Sequence, residues 1–227
     1  MTKNTKNKTF YIISPPKDNQ NFNINNFKLI SKFLNISYLQ LRPKYNHNGL
    51  NEKFIEKNFY VFEDFCKKKN IKIIINDNIK IAKFLNADGV HLGQKDMNCF
   101  NARKFLGERF EIGISCNNSF LLAEKAKKEG ANYVAFGPVF KSNTKITKRS
   151  LLTKKFLTKV SKNCPLPFTL IGGINHDNVS KLNIYESINL ALISSIWDFE
   201  FGPLESARKY NFILNKGTNN EDYRQLT

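Results

Sequence analysis

Ile71-Lys72-Ile73-Ile74-Ile75-Asn76-Asp77 is a burst of β-branched residues that stops on an amide and a carboxylate. A short apolar run bounded by polar residues reads as a strand buried on both faces, which is the habit of parallel sheets. Four further runs end in comparable residues: Gln40-Leu41-Arg42-Pro43-Lys44, Gly93-Gln94-Lys95-Asp96, Gly137-Pro138 through Thr144-Lys145, and Ile171-Gly172-Gly173. Working outward from them, eight strands are expected, at Phe10–Ile13, Ser37–Leu41, Ile71–Ile75, Gly89–Leu92, Phe110–Ser115, Tyr133–Phe136, Phe168–Ile171 and Asn189–Ile193.

Between the strands, apolar residues fall at helical spacing, as at Phe27, Ile30, Phe33 and Leu34, or Phe54, Phe59, Phe62, Phe65 and Cys66. The segment from Asn118 to Gly130 carries Leu121, Leu122, Ala123 and Ala126, opens on a capping residue and closes on a glycine suited to a left-handed cap. Strand-helix alternation repeated in this way predicts an α/β protein with a single (β/α)8 TIM barrel over residues 1–215. Residues 216–227 lack apolar periodicity and are expected to form a flexible tail. In such a barrel the loops after the strands all emerge at one end, so residues far apart in the chain share one pocket.

The 227 residues suit one barrel of this kind, which spans roughly 200 to 400 residues. A hydrophobic content of 41% with 20 Phe supplies a core and argues against disorder. The net charge of +17 (36 Lys and Arg less 19 Asp and Glu) invites an anionic partner, but Lys and Asn are spread along the whole chain. No basic stripe interleaved with aromatics appears, so the charge reads as compositional bias and no nucleic-acid partner is expected. Cys66, Cys99, Cys116 and Cys164 are widely spaced without a CxxC pair, which predicts neither a zinc site nor a disulfide framework and suits a reducing cytoplasm. Met1 to Phe10 is polar, and no apolar run approaches the ~18 residues of a membrane span, so neither export nor a membrane anchor is expected.

The strand ends carry the chemistry. Asp77 and Asp96 each lie just beyond a strand, where two hard carboxylate ligands could share a Mg²⁺ with water and a substrate phosphate. Each could equally cap the helix that follows it. Gln40, Arg42 and Lys44 alternate and so face one side; inside a barrel that is costly without an anion, while at a solvated strand end it is not. Thr144 and Lys145 end the polar loop Lys141–Ser150, and a second polar loop runs from Pro43 to Asn51. Gly172-Gly173 allows backbone amides to approach a phosphate, and Ser194-Ser195 adds donors, although a Gly-Gly pair is also an ordinary tight turn.

These stretches together resemble the thiamine-phosphate synthase family from about Tyr38 to Ile196, through YLQLRPK, IIINDN, ADGVHLGQKDM, IGISCNNS, YVAFGPVFKSNTK, LIGGINHDN and ALISSI. The resemblance implies a (β/α)8 barrel that joins an aminopyrimidine methyl diphosphate to a thiazole phosphate, releasing pyrophosphate. It implies that Gln40, Arg42, Lys44, Asn76 and Lys145 hold the diphosphate, that Asp77 and Asp96 bind Mg²⁺, and that Ser115 lies beside the pyrimidine. Ser142, Thr144, Gly173 and Ser194 would hold the thiazole phosphate; Arg42, Lys44, Ser115 and Lys145 would act in catalysis. His91 and Gln94 occupy motif positions without a role of their own. The chain departs from the pattern at Ser142, where Thr is frequent, and at Asn189, where Gly is usual. Small-molecule substrates are the expected partners, and oligomeric state is left open, a homo-oligomer included. Competing expectations are a thiazole tautomerase-like relative or a non-catalytic barrel that binds phosphorylated ligands; Asn76, Asp77, Asp96 and Lys145 favour the synthase over the tautomerase.

Overall fold

Hydrogen bonding joins eight parallel strands in sequence order into a closed barrel: β1 (Thr9–Ile13), β2 (Ile36–Leu41), β3 (Lys72–Asn76), β4 (Gly89–Leu92), β5 (Glu111–Asn117), β6 (Tyr133–Phe136), β7 (Phe168–Leu170) and β8 (Asn189–Leu192), with β8 pairing back onto β1. The computed structural model describes residues 8–141, 150–185 and 188–216, so Ser142, Thr144, Lys145 and the residues from 217 onward lie outside the described residues. Helices follow the strands: α1 (Ile24–Ile30), α2 (Asn48–Lys68), α3 (Ile79–Phe84), α4 (Cys99–Leu106), α5 (Phe120–Lys128), α6 (Lys154–Asn163), a 3₁₀ turn at Val179–Leu182, then α7 (Ser194–Trp197) and α8 (Gly202–Lys216). None of the helices described is long and apolar enough to cross a membrane.

The period of two along each strand divides the core. Outward residues such as Phe10, Ile12, Leu39, Leu41, Ile73, Ile75, Val90 and Leu92 pack against the helices, while Tyr11, Ile13, Ile74, Tyr133 and Ala191 pack within the barrel. Three inward phenol rings meet in the middle, Tyr11 with Tyr38 at 5.0 Å between centroids, Tyr38 with Tyr133 at 5.2 Å and Tyr11 with Tyr133 at 5.9 Å. Below them, at the N-terminal strand ends, Glu111 accepts from Tyr38 and pairs with Lys72.

Many Asn residues of this sequence serve as helix caps. Asn23, Asn78 and Asn98 each accept the backbone N–H three residues on, at the starts of α1, α3 and α4. Ser119, not Asn118, caps α5, and Gly130 follows with φ 89°. Two further details differ from expectation. Helix α2 begins at Asn48, inside the predicted loop Pro43–Asn51, because Asn51 Oδ1 accepts from Tyr45 N and holds the chain in a turn. Leu121 is 76% exposed, since only Ala123 and Ala126 of α5 face the barrel squarely.

The Tyr133 ring lies across β5 where Gly113 has no side chain: a Cβ there would meet Tyr133 Cζ at 2.0 Å. Gly113→Ala is therefore expected to destabilise the fold by about 1–3 kcal/mol, lowering Tm by roughly 2–4 °C per kcal/mol in thermal denaturation. Gly89→Ala should cost more, because its Cβ would lie 2.2 Å from the Glu111 backbone oxygen, which cannot rotate away.

Candidate functional site

The loops after β2, β3 and β4 bring four charged residues to the C-terminal mouth. Strand β2 ends at Leu41, so strand alternation does not place Lys44; backbone contacts do, with Arg42 N donating to Ser14 Oγ (2.8 Å) and Lys44 N to Pro16 O (2.7 Å). The Lys44 side chain is 46% exposed rather than inside the barrel, and its Nζ contacts Asp77 Oδ2 at 2.9 Å. Asp77 holds φ 63°, a left-handed conformation that Asp tolerates, and its N–H donates to His91 O at 2.9 Å. Asp96 Oδ2 accepts from Gly93 N at 2.7 Å, and Gly93 itself leaves the space: a Cβ would come within 2.9 Å of that oxygen.

Asp77 and Asp96 face each other. Burial, then the neighbouring Asp77 carboxylate, raise the Asp96 carboxyl above its usual range, against the Gly93 N–H and Lys44. Neither caps a helix, since Asn78 and Asn98 do that work, so the capping alternative falls away. Two converging carboxylates that repel each other suit a divalent cation, whose charge would relieve the repulsion. Among the described residues no cluster of three His, Cys, Asp or Glu side chains gathers, so water and substrate would complete such a shell.

Arg42 presents a cation without a carboxylate at ion-pair distance among the described residues. Burial lowers its pKa, opposed by the charge of Asp77. A guanidinium so placed gains by binding an anion at the mouth. Asn76 ends β3 beside it, paired in register with His91.

Behind these charges, polar side chains cross the barrel. Gln40, 2% exposed, donates through Nε2 to Tyr11 OH at 2.9 Å; Tyr11 OH lies 2.8 Å from Tyr133 OH, which lies 3.2 Å from His91 Nδ1. His91 Nε2 is 2.9 Å from Ser115 Oγ, and Gln94 Nε2 donates to Ser115 O at 2.7 Å. The resemblance leaves His91 and Gln94 without roles, and here both hold Ser115. Burial drives His91 down to about 4, so it stays neutral near pH 7. A bulge in β5 makes Cys116 the extra residue between Ser115, opposite Ala135, and Asn117, opposite Phe136. Reading inward positions at a period of two picks out Tyr11, Gln40, His91, Ser115 and Tyr133 as polar groups inside the barrel.

On the far side of the mouth, Gly172 (φ 104°) and Gly173 (φ 67°) pack against the loop after β6: a Cβ on Gly172 would lie 2.7 Å from Pro138 Cα, and on Gly173 2.3 Å from Lys141 O. Packing alone thus requires these glycines. Ser194 opens α7 after β8, and the next residue is braced from behind, Ser195 Oγ accepting from Tyr210 OH (2.8 Å) and Ser195 O from Ser206 Oγ (2.6 Å). His176 Nε2 lies 3.0 Å from Ser206 Oγ, with its ring 4.3 Å from that of Tyr210. The structure thus brings together Gln40, Arg42, Lys44, Asn76, Asp77, Asp96 and Ser115 at or just below one mouth, with Gly173 and Ser194 on the loops after β7 and β8. A separate cavity of about 240 Å³ opens at the opposite end of the barrel, lined by Thr9, Ser37, Tyr38, Thr169 and Asn189 among others.

A family model described as "Thiamine monophosphate synthase" matches residues 10–196 of the chain. The chain is 42% identical over 213 residues to a thiamine-phosphate synthase of Pelagibacter ubique, covering 92% of this chain and 99% of that protein. It is 37% identical to one from Methanobrevibacter smithii, covering 77% of this chain and 85% of the relative. Among solved structures, a thiamine phosphate pyrophosphorylase from Pyrococcus furiosus shares the fold with a TM-score of 0.75 at 22% identity, over 95% of this chain and 99% of that one.

His176 supplies a test of the bracing at the mouth. Burial pushes its pKa down to about 4, below the unfolded value near 6.5, so the unfolded chain takes up a proton that the folded one refuses. The stability it contributes is complete above pH 6.5 and is lost as pH falls toward 4, by about 2 kcal/mol on reaching pH 5. Urea unfolding at pH 7 and pH 5 should show a loss to which His91, driven down in the same way, also contributes, and His176→Gln should reduce it by about 2 kcal/mol; an equal loss in the two proteins would refute the assignment.

Proposed function

The chain belongs to the thiamine monophosphate synthase family, and on that premise we propose that it acts as a thiamine-phosphate synthase, joining 4-amino-2-methyl-5-pyrimidinylmethyl diphosphate to a thiazole phosphate with release of pyrophosphate. The observation that supports this reading most is the meeting of Arg42, Lys44, Asp77 and Asp96 at one mouth: basic charge for a diphosphate, with Arg42 at ion-pair distance from no carboxylate among the described residues, beside two adjacent carboxylates for a cation.

Asp77 and Asp96 would hold Mg²⁺, and bound there it would offset charge that builds on the departing pyrophosphate. Arg42 and Lys44 serve the same anion from the loop after β2, with Lys44 divided between it and Asp77. Lys145 is assigned to the diphosphate, and Ser142, Thr144, Gly173 and Ser194 to the thiazole phosphate, on the resemblance of their motifs. As the C–O bond of the diphosphate breaks, the pyrimidine methylene becomes cationic, with its charge delocalised onto the ring's amino group. The thiazole nitrogen attacks that carbon. No protein nucleophile is needed, so the side chains position two anions and keep water from the cation. Gln40 is assigned to the diphosphate on the same resemblance; one of its two amide N–H groups goes to Tyr11 below the mouth, and its Oε1 is left to face the pyrimidine ring. The setting we assign is cytoplasmic, with free small molecules as substrates.

Asp77→Ala and Asp96→Ala are each expected to lower Mg²⁺-dependent pyrophosphate release by about 10²-fold when both substrates are supplied. Arg42→Ala should lose a similar factor without changing the response to Mg²⁺. Full turnover in both aspartate variants would remove the cation assignment, and the absence of pyrophosphate release by the intact protein would remove the synthase reading.

A further inference from the structure

The hydrogen-bonded chain inside the barrel has a direction, and the orientation of the Gln40 amide at its end sets it. Tyr11, Tyr133 and Gln40 are each 2% exposed and His91 8%, so a donor left without an acceptor there is costly. Each phenol has one proton. Tyr11 OH already accepts from Gln40 Nε2, which leaves Tyr133 OH, 2.8 Å away, to accept the Tyr11 proton. Tyr133, having accepted it, sends its own proton to His91 Nδ1 at 3.2 Å. An imidazole that accepts at Nδ1 is neutral and carries its hydrogen on Nε2, which then donates to Ser115 Oγ at 2.9 Å. The Ser115 hydroxyl proton is thereby turned away from His91 and is available to a ligand.

The two ends of such a chain have opposite character. At one end the Gln40 amide gives one of its two N–H donors to Tyr11 and keeps Oε1 as an acceptor; at the other, Ser115 has accepted from His91 and keeps a donor. Turning the Gln40 amide over would reverse every link at once: Ser115 would donate to Nε2, and His91 would carry its hydrogen on Nδ1. An aminopyrimidine presents an amino donor next to a ring-nitrogen acceptor, so the polarity of the chain decides which way round that edge is read.

We propose that Tyr11, Tyr133 and His91 are positioning residues that order the protons between Gln40 and Ser115, so that Ser115 donates to the pyrimidine ring nitrogen while Gln40 Oε1 accepts from the adjacent amino group. The inference rests on the synthase reading for its ligand, but its first test needs no substrate. The intact protein, labelled with nitrogen isotope in its three histidines, is examined by two-bond proton–nitrogen correlation, with His47→Gln and His176→Gln assigning the other two signals. His91 is expected as the Nε2–H tautomer near pH 7; the Nδ1–H tautomer or an imidazolium would overturn the proposal even in an active synthase.

The second test uses the aminopyrimidine diphosphate and an analogue in which the ring nitrogen beside the amino-bearing carbon is replaced by C–H. The intact protein should bind the analogue about tenfold more weakly, as loss of one well-aligned hydrogen bond implies. Ser115→Ala should bind the two equally. Tyr133→Phe, or Tyr11→Phe if that variant does not fold, should reduce the discrimination while leaving the KM for the thiazole phosphate unchanged, whereas a merely structural role would raise both KM values. Equal binding of analogue and native ring by the intact protein would overturn the polarity, and full discrimination in both tyrosine variants would overturn the role of the phenols.

Discussion

One contact holds the interior in order: the Tyr133 ring lying over the bare backbone of Gly113, with its hydroxyl between Tyr11 and His91. Parallel pairing alone would fix the strands but not the side chains they send inward. Because Gly113 yields its space, one phenol reaches across the barrel and links β6 to β1 and β4. His91 then fixes Ser115 on β5, and Gln40 on β2 is fixed through Tyr11. Five strands are thereby bound by side chains as well as by backbone, and the groups at the mouth inherit that rigidity.

Charge at the mouth follows a different logic, that of incomplete pairing. Lys44 meets Asp77, yet Asp77 also faces Asp96, and Arg42 has no carboxylate at pairing distance among the described residues. A site that satisfied all of its charges internally would have nothing left to bind a doubly phosphorylated substrate. Here the surplus is arranged with like charges adjacent, which costs stability and favours whatever ions relieve it.

Much of this was legible in the sequence. Bursts of β-branched residues located all eight strands to within a residue or two, because a strand buried on both faces has few ways to be written. That strand-end residues such as Asp77 and Asp96 share one rim was readable, because the barrel carries all such ends to the same face. The choice between capping and cation binding was not readable, since Asp77-Asn78 offers two good caps in succession and only the backbone shows that Asn78 serves. Leu121 misled because a leucine at helical spacing carries no mark of the face it occupies. The linkage of His91 to Tyr133 and Ser115 depends on register between strands, though the polar residues at inward positions were themselves in view.

The three packed phenol rings of Tyr11, Tyr38 and Tyr133 also divide the barrel lengthwise, with the charged mouth on one side and the cavity of about 240 Å³ on the other. The lower chamber and the mouth thus lie on opposite sides of an aromatic layer, inside strands that are hydrogen-bonded all the way round. An electrophile generated above that partition is shielded from behind by the fold itself, and protecting it is left to whatever covers the rim.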